Sequence, residues 1–376
     1  MAFGLSQRQA LMVLGAISGL GPITVQRLLA HFKGDAPGCL AASALELSQV
    51  KGLNRKVQQA LLAWEAAIDL GKVEQRMQKS QTSFVISEDA AYPECLKSIH
   101  NPPVGLYWQG TSHLPTQSIA IVGTRRPTLY GLRMAKLFAS ELAQAGFCIV
   151  SGLARGIDTA AHQGALAVGG KTVAVCGCGL DHIYPAENLD LLQAIVQQGA
   201  AISEFPFGRR ADRQTFPMRN RIVAGMSQAL IVIESDASGG SMITARFAGE
   251  QGRALMAVPG RIDQASSAGC HQLIRDGATL VTSAEEVLEE LKFHLPPSLQ
   301  LDFTPDLATA EVPTAPIDLS ASEQSVMHVF RGGERIYLDS IGELCGLSAQ
   351  ATAIAVMQLE LKHLLRKHTD GSYEAL

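Results

Sequence analysis

The chain has little that would tie it to a membrane, an oxidising compartment or a metal ion. No apolar run reaches the roughly 18–20 residues that a spanning helix needs, and the first residues lack the basic start and clear cleavage site of a signal peptide. The seven cysteines are odd in number and form no C-x-x-C pair, which argues against a disulfide framework and a zinc site. We therefore expect a cytoplasmic protein without membrane contact or bound metal.

Charge is also scarce. Charged residues make up 18% of the 376 residues and the formal net charge is −4, so the chain as a whole shows no preference for nucleic acid. Residues 119–261 differ, because they contain fourteen Lys and Arg against ten Asp and Glu, and twelve of those fourteen are arginine. The planar guanidinium fork matches phosphate better than the lysine ammonium does. This local excess predicts a phosphate-binding region.

The hydrophobic share of 47% predicts a folded protein, and periodicity divides the chain into four parts. The first, residues 1–75, carries apolar residues at helical spacing, with glycine-containing turns at 19–22 and 51–54 just before two of the helices. We predict a small helix-hairpin-helix or SAM-like domain. Its turn amides either hold a DNA phosphate or simply make tight corners.

The last two parts form the C-terminal region. Residues 295–318 combine prolines with Thr, Ala and Asp and predict a linker. In residues 319–376, Ser320 and Glu323 have capping-box spacing, two further helices follow, and Asp370-Gly371 predicts a hairpin, a pattern typical of a winged-helix domain. Its third helix is nearly uncharged, whereas a helix that reads the major groove needs Arg, Lys, Asn or Gln. We therefore expect protein contact or core packing from this domain.

Residues 82–293 predict a Rossmann-like α/β domain. Apolar runs alternate with amphipathic helices, which is typical of a parallel sheet covered on both faces. The predicted strands are 119–122, 148–150, 172–175, 200–203, 230–233, 254–258 and 279–281. Ligands of such sheets bind beyond the carboxyl ends of the strands. Glycines, hydroxyl residues and arginines follow these ends, as in 123–126, 151–158 and 238–244, and predict a cradle for a polyanion.

The segment 204–221, EFPFGRRADRQTFPMRNR, is the most specific part of this pattern. It holds five arginines and three phenylalanines in eighteen residues. Arginines bind phosphates and exposed rings stack on unpaired bases, so the segment predicts a site for single-stranded nucleic acid. The alternative is a solvated basic loop whose phenylalanines, above all Phe205 and Phe207, pack in the core.

The nucleotide-binding fingerprints in the sequence are incomplete. Residues 164–172 approach a P-loop, but they lie between a helix and the following strand, the reverse of the required order. Gly177-x-Gly179 lacks the third glycine of a dinucleotide-binding turn. We therefore expect neither an ATPase nor a nicotinamide enzyme, and no cofactor.

Two pairs of titratable residues leave alternatives open. Asp158 and His162, at i and i+4, allow a metal site or an acid–base pair, although a local hydrogen bond at a helix start is the simpler interpretation. Glu204 and Glu234 each follow a strand. They act either as general acid and base or as charge partners of buried arginines.

Several motifs in series resemble the DprA family, also called Smf. They are IAIVGTRRPTLYG, SGLARGIDTAAHQGAL, GCGLDHIYPAEN, SEFPFG, FPMRNRIVAG, SGGSMITARFAGEQGR and AVPG, in this order within residues 82–293. The resemblance implies a protein that binds single-stranded DNA with little affinity for duplex, and that is not an enzyme. It implies protection of DNA entering the cell during natural transformation, and loading of the recombinase RecA onto DNA covered by single-strand-binding protein. It also implies a homodimer formed through the Rossmann-like domain.

The family motifs and the sheet-edge pattern together define the expected DNA-binding residues. The arginine of the family's G-S/T-R motif falls on Arg125, and its F-P-x-R-N-R motif runs from Phe216 to Arg221. The full set is Gly123, Thr124, Arg125, Ser151, Gly152, Arg155, Arg213, Phe216, Arg219, Asn220, Arg221, Ser238, Gly239, Gly240, Ser241 and Thr244. No catalytic residue is expected.

Within this set, each residue type has an expected role. The phosphates are expected to contact Arg125, Arg155, Arg213, Arg219 and Arg221 in succession. The Phe216 ring is expected to stack on a base, which a duplex cannot offer without unpairing. The chain departs from the family's S-G-S-x-I-T-A motif at Gly240, where a serine is usual, and Ser241 comes next.

Two other functions stay open. One is a Rossmann-like nucleotide-binding enzyme that cleaves the glycosidic bond of nucleoside monophosphates, which Gly239-Gly240…Thr244 partly mimics, although the P-G-G-x-G-T…E pattern of that group is absent. The other is an adaptor that acts through the winged helix alone. Turnover of mononucleotides would favour the enzyme, and DNA binding lost only with the C-terminal region would favour the adaptor.

Overall fold

The structure, a computed structural model, describes residues 4–111, 114–115, 117–294, 319–330, 335–362, 364–368 and 370–375. The predicted linker at 295–318 lies outside these ranges. The chain divides into two compact units, one made of residues 1–126 and 135–300 and the other of residues 127–134 and 301–376.

The first unit begins with short helices, most of which start at a side-chain cap. They are α1 (Gln7–Ala16), α2 (Pro22–His31), α3 (Ala36–Ala41), α4 (Ala44–Ser48), α5 (Arg55–Leu62), α6 (Trp64–Ala67) and α7 (Leu70–Lys79). Ser6 and Ser43 form capping boxes at α1 and α4, and Asn54 and Asp69 accept from backbone N–H groups at the starts of α5 and α7. Their apolar faces share one hydrophobic core with the sheet that follows, including Tyr107.

A nine-stranded sheet forms the centre of this unit. Its strands are β1 (Thr82–Ile86), β2 (Gly105–Gly110), β3 (Ser118–Gly123), β4 (Cys148–Ser151), β5 (Thr172–Val175), β6 (Ala200–Ser203), β7 (Ala229–Ile233), β8 (Ala254–Ala257) and β9 (Thr279–Leu280). The order is β1-β2-β6-β5-β4-β3-β7-β8-β9, and all pairs from β6 to β9 are parallel. The Rossmann-like prediction is thereby confirmed. The antiparallel strands β1 and β2, absent from the predicted set, extend the sheet beyond β6.

Helices cover both faces of the sheet. They are α8 (Glu94–Lys97), α9 (Leu129–Gln144), α10 (Ile157–Ala167), α11 (Leu189–Gln198), α12 (Thr215–Gly225), α13 (Gly240–Glu250), α14 (Ala268–Arg275) and α15 (Ala284–His294), with 3₁₀ helices at Ala186–Asn188 and Ala265–Ser267. Alternate strand residues enter different cores, as in β2, where Leu106 and Trp108 face one core and Tyr107 the other. Strands β4 to β6 lie on one side of β3 and strands β7 to β9 on the other, so the order in which strands are added reverses between β3 and β7. This is the topological switch point, where ligands of such sheets bind.

The described residues of the second unit include helices α16 (Ala321–Val329), α17 (Leu338–Cys345) and α18 (Ala349–Leu361) and strands β10 (Ile336–Tyr337), β11 (Leu365–Lys367) and β12 (Ser372–Ala375), in the order β10-β12-β11. The capping box of Ser320 and Glu323 is confirmed. The winged-helix assignment stays a prediction. Across the described ranges no single helix has the length and apolar composition to cross a membrane, although α17 and α18 meet those criteria as one bent pair.

Candidate nucleic-acid interface

An open cleft of about 790 Å³ lies at the switch point, beyond the carboxyl ends of β3, β4 and β7 and beside α12 and the start of α13. The Thr124 N–H donates to the Glu234 carbonyl oxygen at 2.6 Å, which ties the turn after β3 to the end of β7. Thirteen predicted residues line the cleft: Gly123, Thr124, Arg125, Gly152, Arg213, Phe216, Arg219, Asn220, Ser238, Gly239, Gly240, Ser241 and Thr244. Ser151, Arg155 and Arg221 are not among the lining residues.

Exposed cations and a half-buried ring stand together in this cleft. Arg125, Arg126 and Arg213 are all exposed to solvent. The Arg125 guanidinium carbon lies 4.8 Å from the centroid of the half-buried Phe216 ring, a cation–π contact. The ring rests on Gly177, where an added Cβ would lie 3.2 Å from a ring carbon. A guanidinium group and an aromatic ring therefore stand side by side in the cleft.

The start of α13 supplies backbone donors to the same cleft. Gly239 is its N-cap and provides no side-chain hydrogen bond, so the first amides of the helix are open to an anion. A Cβ at Gly239 would lie 2.6 Å from the Ser235 hydroxyl, whereas one at Gly240 would meet nothing within 4 Å. A serine side chain would therefore project from position 240 into open space, and this chain has only backbone there. Ser241 Oγ donates instead to Ser235 Oγ at 2.7 Å.

Arg219 borders the cleft but is turned into the protein. It is only 4% exposed, and its Nη1 donates to the carbonyl oxygens of Gly152 and of Val175, the latter at 2.5 Å. The nearby Asp158 accepts from the Gly152 and Ala154 N–H groups at 3.1 and 3.3 Å. Burial lowers the pKa of Arg219 and raises that of Asp158, and each charge opposes the shift of the other. Arg219 thus joins the ends of β4 and β5.

The three predicted residues that do not line the cleft form hydrogen bonds or ion pairs with other residues of the protein. Arg221 is buried, and its Nη2 lies 2.5 Å from both carboxylate oxygens of Glu204. Ser151 is also buried and donates to the Ile121 carbonyl at 2.6 Å. Arg155 is exposed and forms an ion pair with Glu187.

Three residues of the two acid–base pairs considered from the sequence have other partners. His162 is fully buried, its Nδ1 lies 2.7 Å from Thr172 Oγ1, and burial lowers its pKa to about 3. Asp158 binds backbone amides, so it does form the local hydrogen bonds of a helix start. Glu204 is held by Arg221, while burial raises its pKa. Within the described ranges no cluster of three or more His, Cys, Asp or Glu has a metal-binding arrangement.

Arg126 is the lining residue that the predicted set omitted most clearly. It follows Arg125 in the turn after β3, is exposed and borders the cleft. Its position directly after a strand end, next to a predicted phosphate ligand, was the available signal. Pro217 and Ile243 also line the cleft, and their apolar side chains gave no such signal.

Comparison with known proteins gives matches to one family. Residues 83–292 match the family model of DNA recombination-mediator protein A. Protein Smf of Synechocystis is 36% identical over 280 residues, which cover 73% of this chain and 70% of that protein. Protein Smf of Escherichia coli is 42% identical over 214 residues, 56% of this chain and 57% of that protein. DNA processing protein DprA of Bacillus subtilis is 42% identical over 202 residues, 53% and 68% of the two chains.

Two solved structures share the fold. The DprA structure from Streptococcus pneumoniae superposes with a TM-score of 0.67 at 33% identity, covering 76% of this chain and 98% of that one. The DprA structure from Helicobacter pylori, described for its single-stranded DNA binding mode, gives a TM-score of 0.52 at 32% identity, covering 58% of this chain and 99% of that one. On the family match over more than half of its length, together with these relatives, the chain belongs to the DNA recombination-mediator protein A (DprA/Smf) family.

Proposed function

We propose that this protein binds single-stranded DNA in the switch-point cleft. The observation that carries the proposal is the contact of the exposed Arg125 with the half-buried Phe216 ring inside a cleft that also holds Arg126 and Arg213. Phosphates bind the guanidinium groups and the first amides of α13, and an unpaired base stacks on the ring. The bases of a duplex face each other, so they reach the ring only after unpairing, and duplex affinity is low.

The buried arginines act in this proposal as positioning residues rather than as phosphate ligands. Arg219 fixes the ends of β4 and β5 under the cleft, and Arg221 anchors α12 to Glu204. A phosphate would have to displace these buried partners, whereas Arg125, Arg126 and Arg213 are already in solvent. Ser151 belongs with the positioning residues.

Membership of the family supports a proposal for the biological role. We propose that the protein protects single-stranded DNA during natural transformation and loads RecA onto DNA covered by single-strand-binding protein, and that it acts as a homodimer without catalysing a reaction. A RecA strand-exchange assay on DNA precoated with single-strand-binding protein tests this role. RecA loading is expected to rise with the wild-type protein and to fall with Phe216→Ala. Equal loading with and without the wild-type protein would refute it.

DNA binding itself is tested by fluorescence anisotropy of a labelled oligothymidine, with a duplex alongside and a salt series. The three exposed arginines of the cleft predict a slope of log affinity against log salt of about −2, since each single-strand contact contributes about −0.7. Arg125→Ala should reduce the slope, and Arg246→Ala is the matched control, because Arg246 is an exposed arginine of α13 that pairs with Glu250. If neither DNA binds and mononucleotides are hydrolysed, the enzyme alternative replaces the proposal.

A further inference from the structure

Tyr184 lies just outside the cleft, in the segment between β5 and α11, and is 44% exposed. Its ring centroid is 5.5 Å from that of Phe216, with 47° between the ring planes. Arg125 also contacts Phe216, at 4.8 Å from its centroid. The Phe216 ring is therefore flanked by a guanidinium and by a second, solvent-accessible ring.

The other rings of this region are used differently. Phe205 is buried, at 7% exposure, within the core that the helices α1–α7 share with the sheet. Phe207 packs against Tyr107, with centroids 5.6 Å apart, and lies under Arg76. Tyr184 is exposed, and the half-buried Phe216 lines the cleft, so unpaired bases can reach these two rings.

The inclination of the two rings suits an opened strand. Their planes are inclined by 47°, so bases that stack on them are not parallel to each other as they are in a stacked strand. Neighbouring bases therefore reach both rings only when the backbone is extended and the bases are unstacked. A single strand adopts that state readily, whereas a duplex must first unpair.

Arg155 continues the same path beyond Tyr184. It is exposed and forms a surface ion pair with Glu187, which lies three residues after Tyr184 in the chain. An exposed ion pair of this kind is weak, so a phosphate can replace the Glu187 carboxylate. This gives Arg155 a role in DNA binding although it does not line the cleft.

We propose that Tyr184 is a second base-stacking position and that the DNA strand leaves the cleft from Phe216 over Tyr184 toward Arg155. This inference rests on the proposed binding of single-stranded DNA in the cleft. A second stacking position means that the protein recognises two neighbouring unpaired bases, and therefore selects strands in which both bases are free.

The experiment uses the full chain and oligothymidines that carry 2-aminopurine at one position at a time. With wild-type protein, two adjacent positions should change fluorescence on binding, and Tyr184→Ala should leave only one. Affinity should fall about 5- to 150-fold, the equivalent of roughly 1–3 kcal/mol of stacking per base. Tyr184→Phe keeps the ring and should rescue the affinity. Leu137→Ala, which truncates a 40% exposed side chain of α9, is the matched control.

The outcomes separate this inference from the proposal on which it rests. If wild-type protein binds no single-stranded DNA, the proposed function fails. If it binds, and Phe216→Ala weakens binding while Tyr184→Ala has no more effect than Leu137→Ala, only the inference fails. A single responding 2-aminopurine position with wild-type protein also overturns it, and that reading does not depend on how any variant folds.

Discussion

Arg125 and Phe216 contact each other, and they are expected to contribute to DNA binding in two distinguishable ways. Phe216→Ala removes a stacking face, which should cost about 1–3 kcal/mol of binding free energy and leave the salt slope unchanged, because no charge is lost. Arg125→Ala removes a phosphate contact and should make the slope shallower by about 0.7. Anisotropy titrations of a labelled oligothymidine over a salt series measure both quantities.

The double variant tests the coupling. The guanidinium carbon lies 4.8 Å from the ring centroid, and a cation–π contact at an exposed site is worth about 0.5–1 kcal/mol. The contact exists in the free protein, so it enters a double-mutant cycle of unfolding free energies. Each single change loses it, and the double variant should therefore lose less stability than the sum of the two, by about that amount. Losses that add without a coupling term, or a Phe216→Ala variant with an altered salt slope, would refute the reasoning.

Three further predictions concern stability. Arg221→Ala leaves the Glu204 carboxylate buried without its partner and should lower the free energy of unfolding, measured in urea, by about 3–5 kcal/mol. Because burial raises the folded-state pKa of Glu204, this loss of stability should become smaller in acid. A loss of stability that is independent of pH would contradict the prediction. Burial lowers the pKa of His162 to about 3, so the protein should lose stability as the pH falls below about 6.5, by up to about 1.4 kcal/mol per pH unit. His162→Gln should flatten this part of the curve of unfolding free energy against pH. An unchanged curve would exclude His162 as the source of the pH dependence. Gly152→Ala places a Cβ 2.3 Å from Arg219 Nη1 and should lower the free energy of unfolding by about 1–3 kcal/mol. The variant should show a lower Tm and weaker DNA binding. A wild-type Tm would show that Arg219 can move.

The sequence was sufficient to predict the parallel sheet, because strands buried on both faces are continuous apolar runs. It also predicted the switch-point turns, since residues after parallel strands meet at one edge. It did not predict which arginines reach solvent. The partner of Arg221 is seventeen residues away, and that of Arg219 at Gly152 is sixty-seven residues away. A count of arginines contains no information on partners so far away in the chain, so the sequence does not distinguish buried guanidinium groups from exposed ones.

The strands β1 and β2 were missed for a related reason. They pair antiparallel at the β6 edge of the sheet, and β2 places Tyr107 in the core it shares with the helices α1–α7. The polar Gln109 and the glycines at both ends of β2 break the apolar run that marked the other strands. Their burial is set by tertiary packing rather than by local pattern.

A single carboxylate connects the helices α1–α7 to the loop that precedes α12. Asp181 pairs with Arg76 of α7 and also accepts from the Gly208 N–H at 2.9 Å, while Arg76 covers the ring of Phe207. Truncating the chain at about residue 80 to obtain a minimal α/β fragment would remove that arginine and expose Tyr107 and its neighbours to water. Such a fragment is expected to aggregate, so dissection of this protein requires point substitutions in the full chain rather than deletion of its first helices.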